Sequence, residues 1–96
     1  MGIARLGDYC TGHTGYPPRP CIEASSNVFV NGLGAAREGD YWDIHCNGDS
    51  CHAGYLIGNT GNNVYINDFR CGISGDWISC GSRVSGSSFN VYAYEP

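Results

Sequence analysis

Lysine is absent from the 96-residue chain, and five arginines against nine acids leave a formal charge of −4. A nucleic-acid partner is thereby excluded, because phosphate binding requires clustered positive charge. Charged residues of both signs make up only 15%, against about 25% in an ordinary soluble domain. No apolar run approaches the ~18 residues that a membrane-spanning helix needs. The first residues, MGIARLGDYC, lack the apolar core of a signal peptide, which predicts synthesis for the cytoplasm or export by an unusual route. No segment sustains a 3.6-residue apolar period between capping residues, so long helices are not expected. No Gly-x-Ser-x-Gly, His-Glu-x-x-His or phosphate-binding loop occurs, and the sequence is read as non-enzymatic.

Glycine and cysteine are what the chain has in quantity: 15 Gly and six Cys, with three His beside the cysteines. Each glycine inside a helix costs about 1 kcal/mol relative to alanine, so loops and short strands are favoured. Two readings of the cysteines compete. One is a secreted binding module stapled by disulfides. The other is metal ligation, which suits a reducing compartment, and the neighbouring histidines favour it. A small, glycine-rich domain struggles to offset its ordering entropy and needs a clip or a partner.

The chain also repeats itself. Gly-Asp-aromatic occurs at Gly7-Asp8-Tyr9, Gly39-Asp40-Tyr41 and Gly75-Asp76-Trp77, at spacings of 32 and 36 residues. A second motif accompanies it: Asn27-Val28-Phe29-Val30-Asn31, Asn63-Val64-Tyr65-Ile66-Asn67 and Asn90-Val91-Tyr92-Ala93-Tyr94. The β-branched and aromatic residues predict short strands. Ser25-Ser26, Asn62 and Ser87-Ser88 precede them as turn formers, and Asn31-Gly32 marks a hairpin turn. Alternation puts Val28 and Val30 on one strand face and Phe29 on the other, so an apolar face is left for a partner to cover. The expectation is a single all-β domain, residues 1–96, of three short β units around a pseudo-threefold axis.

Residues 4–8 (Ala-Arg-x-Gly-Asp), a His- and Cys-bearing loop, Asn27-Val28-Phe29-Val30-Asn31-Gly32 and then Ala35-Ala36-Arg37-Glu38-Gly39-Asp40 resemble the PAAR-repeat family. That family is named for Pro-Ala-Ala-Arg, and Gly34 stands here for the proline. The resemblance runs from Ile3 to about Tyr94. The third copy departs, with Arg70-Cys71-Gly72-Ile73 in place of the motif. The resemblance implies a small cone with a zinc ion near its apex. It implies the stand-alone tip of the membrane-piercing spike of a contractile injection machine, in type VI secretion or a contractile-tailed phage. Such a tip is made in the cytoplasm and assembled at the end of the spike. Its monomer caps the blunt end of a trimeric β-helical spike protein (VgrG-like or phage tail spike), with transient contact to a target envelope.

The repeats also select ligands by position. His13 lies five residues after Asp8, His45 five after Asp40, and Cys80 four after Asp76. A tetrahedral zinc needs a fourth ligand, and His52 is the expected one. The set His13, His45, His52 and Cys80 agrees with the family's three His and one Cys. A rival set uses Cys46 and Cys51 with Cys80 and one His. Iron is a less favoured ion for mixed His/Cys ligands. Four protein ligands leave no open position, so the metal is read as structural. Cys10, Cys21 and Cys71 are expected to be small buried hydrophobes. Asp8, Asp40 and Asp76 are expected to accept backbone N–H bonds in turns, with Arg5 and Arg37 as their partners. Asp43 and Asp49 are expected to be solvated loop charges.

Overall fold

The computed structural model describes residues 1–93, and the expected strand residue Tyr94 lies outside them. The fold is all-β: no helix forms among the described residues, so none is long and apolar enough to cross a membrane. The named strands are β1 (Phe29–Val30), β2 (Leu33–Gly34), β3 (Tyr41–Asn47), β4 (Ser50–Tyr55), β5 (Tyr65–Ile66) and β6 (Phe69–Arg70). They pair as three antiparallel hairpins, β1–β2, β3–β4 and β5–β6. The β1–β2 turn places Asn31 and Gly32 at φ 54° and 79°. Two successive left-handed residues match the right-handed strand twist, which is why Asn-Gly is favoured there.

The three units close around a ring of backbone hydrogen bonds. The Ala36 N–H donates to Ala4 O at 2.9 Å, Ala4 N–H to Gly72 O at 2.8 Å, and Gly72 N–H to Ala36 O at 2.8 Å. These are corresponding residues of the three repeats, so the hydrogen bonds run head to tail around the pseudo-threefold axis. Strand alternation sends the preceding residues Ile3, Ala35 and Cys71 to one side of this ring. They pack there with Val30, Ile66 and Ile73. Ala4 and Ala36 face the other side, with Trp42, Leu56, Ile78, Cys10, Cys21 and Val84. The small side chains at the axis let three segments of the chain meet there.

The Gly-Asp turns superimpose in their bonding. Asp8, Asp40 and Asp76 accept the backbone N–H of Arg5, Arg37 and Ile73 at 2.8–3.0 Å. Glycine is required just before each aspartate, because φ is +91°, +92° and +87° at Gly7, Gly39 and Gly75. From these turns the chain leaves on excursions that return at Cys21, Leu56 and Val84, whose N–H groups donate to Asp8, Asp40 and Asp76 O at 2.8–2.9 Å. After the return, Ser25 and Ser88 Oγ each accept the N–H three residues on at 2.9 Å, and Asn62 Oδ1 accepts from Val64 N at 3.0 Å. The turn formers expected from sequence are thus buried caps. The third Asn-Val segment has no named strand pair; there Tyr92 makes an isolated antiparallel bridge to Gly2. Gly2 occupies the register position of Gly34 in β2 and Arg70 in β6.

Arginine forks close two of the three turns. Arg5 donates through Nε and Nη2 to Asp8 at 2.9 and 3.0 Å, and Arg37 does the same to Asp40 at 3.0 and 3.1 Å. Ile73 holds the third position, so Asp76 has no guanidinium. Burial raises its pKa to about 6, against the lowering effect of the Ile73 N–H. Between the ordinary aspartate value and about 6, the native state keeps a proton that the unfolded chain has released. Stability from this group is therefore full below that ordinary value and falls as pH rises through about 6. Asp76→Asn keeps the acceptor and removes the charge. It is expected to stabilise the protein at pH 7 by on the order of 2 kcal/mol and to lose this advantage towards pH 4. Urea unfolding at both pH values checks this; equal gains at the two would refute it.

Candidate metal centre

Three excursions deliver side chains to one point. His13 sits in a tight turn in which His13 N–H donates to Tyr16 O at 3.1 Å and Tyr16 N–H to His13 O at 2.7 Å. His45 on β3 and His52 on β4 are direct cross-strand partners, so a period of two aims both imidazoles at the same face. Cys80 lies in the turn closed by Gly81 N–H donating to Ile78 O at 2.9 Å. Gly54 leaves room for it: a Cβ there would lie 3.0 Å from Cys80 Sγ and 2.7 Å from Ile78 Cγ2.

One ligand-type atom from each of His13, His45, His52 and Cys80 lies within 4.8 Å of the others, a group that could hold a metal ion. The Nε2 atoms form a triangle with sides of 3.1 Å (His13–His45), 2.9 Å (His13–His52) and 2.8 Å (His45–His52). Three imidazole nitrogens cannot satisfy three mutual hydrogen bonds, because a ring nitrogen that carries a proton has no lone pair left to accept one. Converging lone pairs do satisfy a cation. Zinc–nitrogen bonds of the usual length give a tetrahedral edge of about 3.3 Å, a few tenths wider than this triangle and within reach of small ring rotations. The residues therefore fit a tetrahedral ion.

The site's electrostatics agree with ligation. Pro17 O lies 2.9 Å from His45 Nδ1. A carbonyl only accepts, so Nδ1 carries the proton and Nε2 of the neutral ring presents its lone pair. Desolvation, then the neighbouring His45 and His52, lower the His13 pKa. Its contribution to stability is therefore present above the ordinary histidine range and lost as pH falls through the lowered value. Tyr16 covers the group, with its ring 4.3–5.0 Å from all three imidazoles and its hydroxyl hydrogen-bonded to Ser50 Oγ at 2.7 Å. Sequence reasoning did not single out Tyr16; the signal was an aromatic three residues after a ligand, across a Gly15 turn.

The rival ligand set does not assemble in this structure. Cys46 and Cys51 form a disulfide. They are the β3–β4 pair next to His45 and His52, so alternation turns their sulfurs to the opposite face. The other four cysteines are free, which does not match a module stapled throughout by disulfides. Cys10, Cys21 and Cys71 are buried, and burial raises the Cys21 thiol to about 12 and the Cys71 thiol upward. They behave as apolar filler, in line with the sequence expectation. Asp43 is not a free loop charge. It lies on β3, accepts from Ile44 N–H and pairs with Arg19, and these contacts lower its pKa. Asp49 is exposed at the hairpin tip, as expected.

A family model described as PAAR motif matches residues 11–86, well over half of the chain. A search of curated proteins finds no match. The PAAR motif is a structural motif associated with spike tips of contractile injection systems and generally linked to VgrG-like spike partners. With three bonded Gly-Asp units about one axis and this match, the chain belongs to the PAAR motif family.

Proposed function

We propose that the protein is the rigid tip of the central spike of a contractile injection machine. One zinc ion, held by His13, His45, His52 and Cys80, stiffens it. The observation that carries the reading is the convergence of four donors from three symmetry-related excursions. Each excursion has little core of its own, so a shared ion supplies the cross-link that packing does not. Zinc is favoured over iron because a closed tetrahedral set of imidazole and thiolate suits it. A closed set leaves no position for substrate, so the role is mechanical.

The hairpin side supplies the docking face. Phe29, Tyr65 and Tyr92 occupy corresponding positions and are 60%, 54% and 58% exposed. Leu33 and Phe69 stand beside them, also exposed. A pseudo-threefold apolar face suits a threefold β-helix whose sheet edges need covering. The test is capture of the protein by a trimeric β-helical spike, with metal analysis of the captured material. One equivalent of zinc is expected, and capture should be insensitive to salt because the contact is apolar. Phe29→Asp with Tyr65→Asp should weaken capture by at least about thirtyfold. Capture that survives the double substitution, or fails at high salt, would refute the docking face.

A further inference from the structure

The pseudo-threefold comparison exposes an unmatched pair of charges. In the first two units the turn aspartate meets a guanidinium, whereas Asp76 Oδ1 has no hydrogen-bond partner among the described residues, although the residue is only 5% exposed. Four of the five arginines are in ion pairs: Arg5 with Asp8, Arg19 with Asp43, Arg37 with Asp40 and Arg70 with Glu38. Among the described residues Arg83 has no such partner. Its guanidinium lies over the Trp77 ring, 3.9 Å from the centroid. Asp76 and Arg83 nevertheless line the same open cleft of about 480 Å³, with Trp77, Ser74, Asn59 and Thr60. They form no ion pair with each other.

We infer that this cleft binds a ligand carrying both a guanidinium and a carboxylate, with the guanidinium on Asp76 and the carboxylate on Arg83. The sister turns show the chemistry that this turn accepts. Asp8 and Asp40 each take a planar guanidinium through both carboxylate oxygens. Asp76 keeps the same backbone anchor through Oδ2 and lines the cleft, with Oδ1 unpaired among the described residues. Arg83, stacked over Trp77 and lining the cleft, keeps its N–H donors unpaired among the described residues, and the guanidinium fork is suited to a carboxylate. A cation alone would meet repulsion from Arg83, and an anion alone from Asp76, so a ligand with both charges is selected. The volume admits an amino acid or the last residue of a peptide. Free arginine and a C-terminal arginine share this chemistry.

The experiment is an amide-shift titration of the full chain with L-arginine, with agmatine (no carboxylate) and with the dipeptide Gly-Arg. L-arginine or Gly-Arg should shift Ser74, Gly75 and the Trp77 indole saturably, with Kd on the order of 1 mM. The tighter of the two identifies the source as free amino acid or chain end. Agmatine should bind about tenfold more weakly. Asp76→Asn and the exposed Arg83→Gln should each weaken L-arginine by about tenfold. No saturable shift, equal affinity for agmatine, or indifference to either substitution would overturn the inference. None of these outcomes touches the zinc or the docking face.

Discussion

Stripping the metal with a strong chelator should lower the melting temperature by roughly 10–20 °C. An ion bound only by the native state at a hundredfold excess over its Kd stabilises by about 2.7 kcal/mol, and each kcal/mol moves a domain of this size by about 4–8 °C. His45→Ala should match the chelator's effect. That imidazole is the most buried of the four ligands, and its tautomer is fixed by Pro17 O. Loss should be uneven along the molecule. Amides of the excursions around His13, His45–His52 and Cys80 should exchange faster without metal, whereas those of the β1–β2 and β5–β6 hairpins should change little. Acid should act like the chelator, because imidazole must be neutral and the thiol deprotonated to ligate. Calorimetry, metal analysis and hydrogen exchange read these outcomes. A His45→Ala protein with full zinc and an unchanged melting temperature would refute the site.

Gly72→Val should be nearly as damaging although it touches no ligand. A Cβ at Gly72 would lie 2.6 Å from Leu56 Cδ1 and 3.4 Å from Ala36 O. Leu56 is fully buried against Trp42 and Ile78, so it has nowhere to move, and Ala36 O belongs to the axial hydrogen-bonded ring. Overpacking at such a point costs about 3 kcal/mol. Leu56→Ala would open the missing space, so the double variant Gly72→Val/Leu56→Ala should be less destabilised than the sum of the single changes. Additive losses would mean that the clash is not the cause. The repeat's departure from alanine at this position thus has a packing reason: the second unit fills the space with a leucine, and the third yields it.

Much of the local structure was readable from residue order. Gly-Asp turns, Ser and Asn caps and the Asn-Gly hairpin follow from backbone chemistry within three or four residues. Their recurrence gave the three units, and counting from each aspartate chose His13, His45 and Cys80. Alternation in Asn-Val-Phe-Val foretold apolar residues on two faces, and Phe29 is indeed exposed while Val30 is buried. The middle excursion is longer than a three-unit pattern suggests, because one hairpin carries two ligands, His45 and His52. Cys46 and Cys51 looked like ligands by spacing alone, until strand pairing turned them away from the histidines.

Residue order alone therefore specifies the repeating β units, their turns and the residue types that meet at the candidate metal centre. Packing in three dimensions selects the long-range partners that close them: Tyr16 over the imidazoles, Gly2 beside Tyr92, Asn31 and Asn67 linking Arg5 and Arg37 to Ser88 and Ser25, and Asp76 and Arg83 around one cleft. Turn and strand preferences act over a few bonds, so they leave a mark in the order of residues. Contacts between units depend on how three excursions pack around the axis, and no short-range pattern encodes that arrangement.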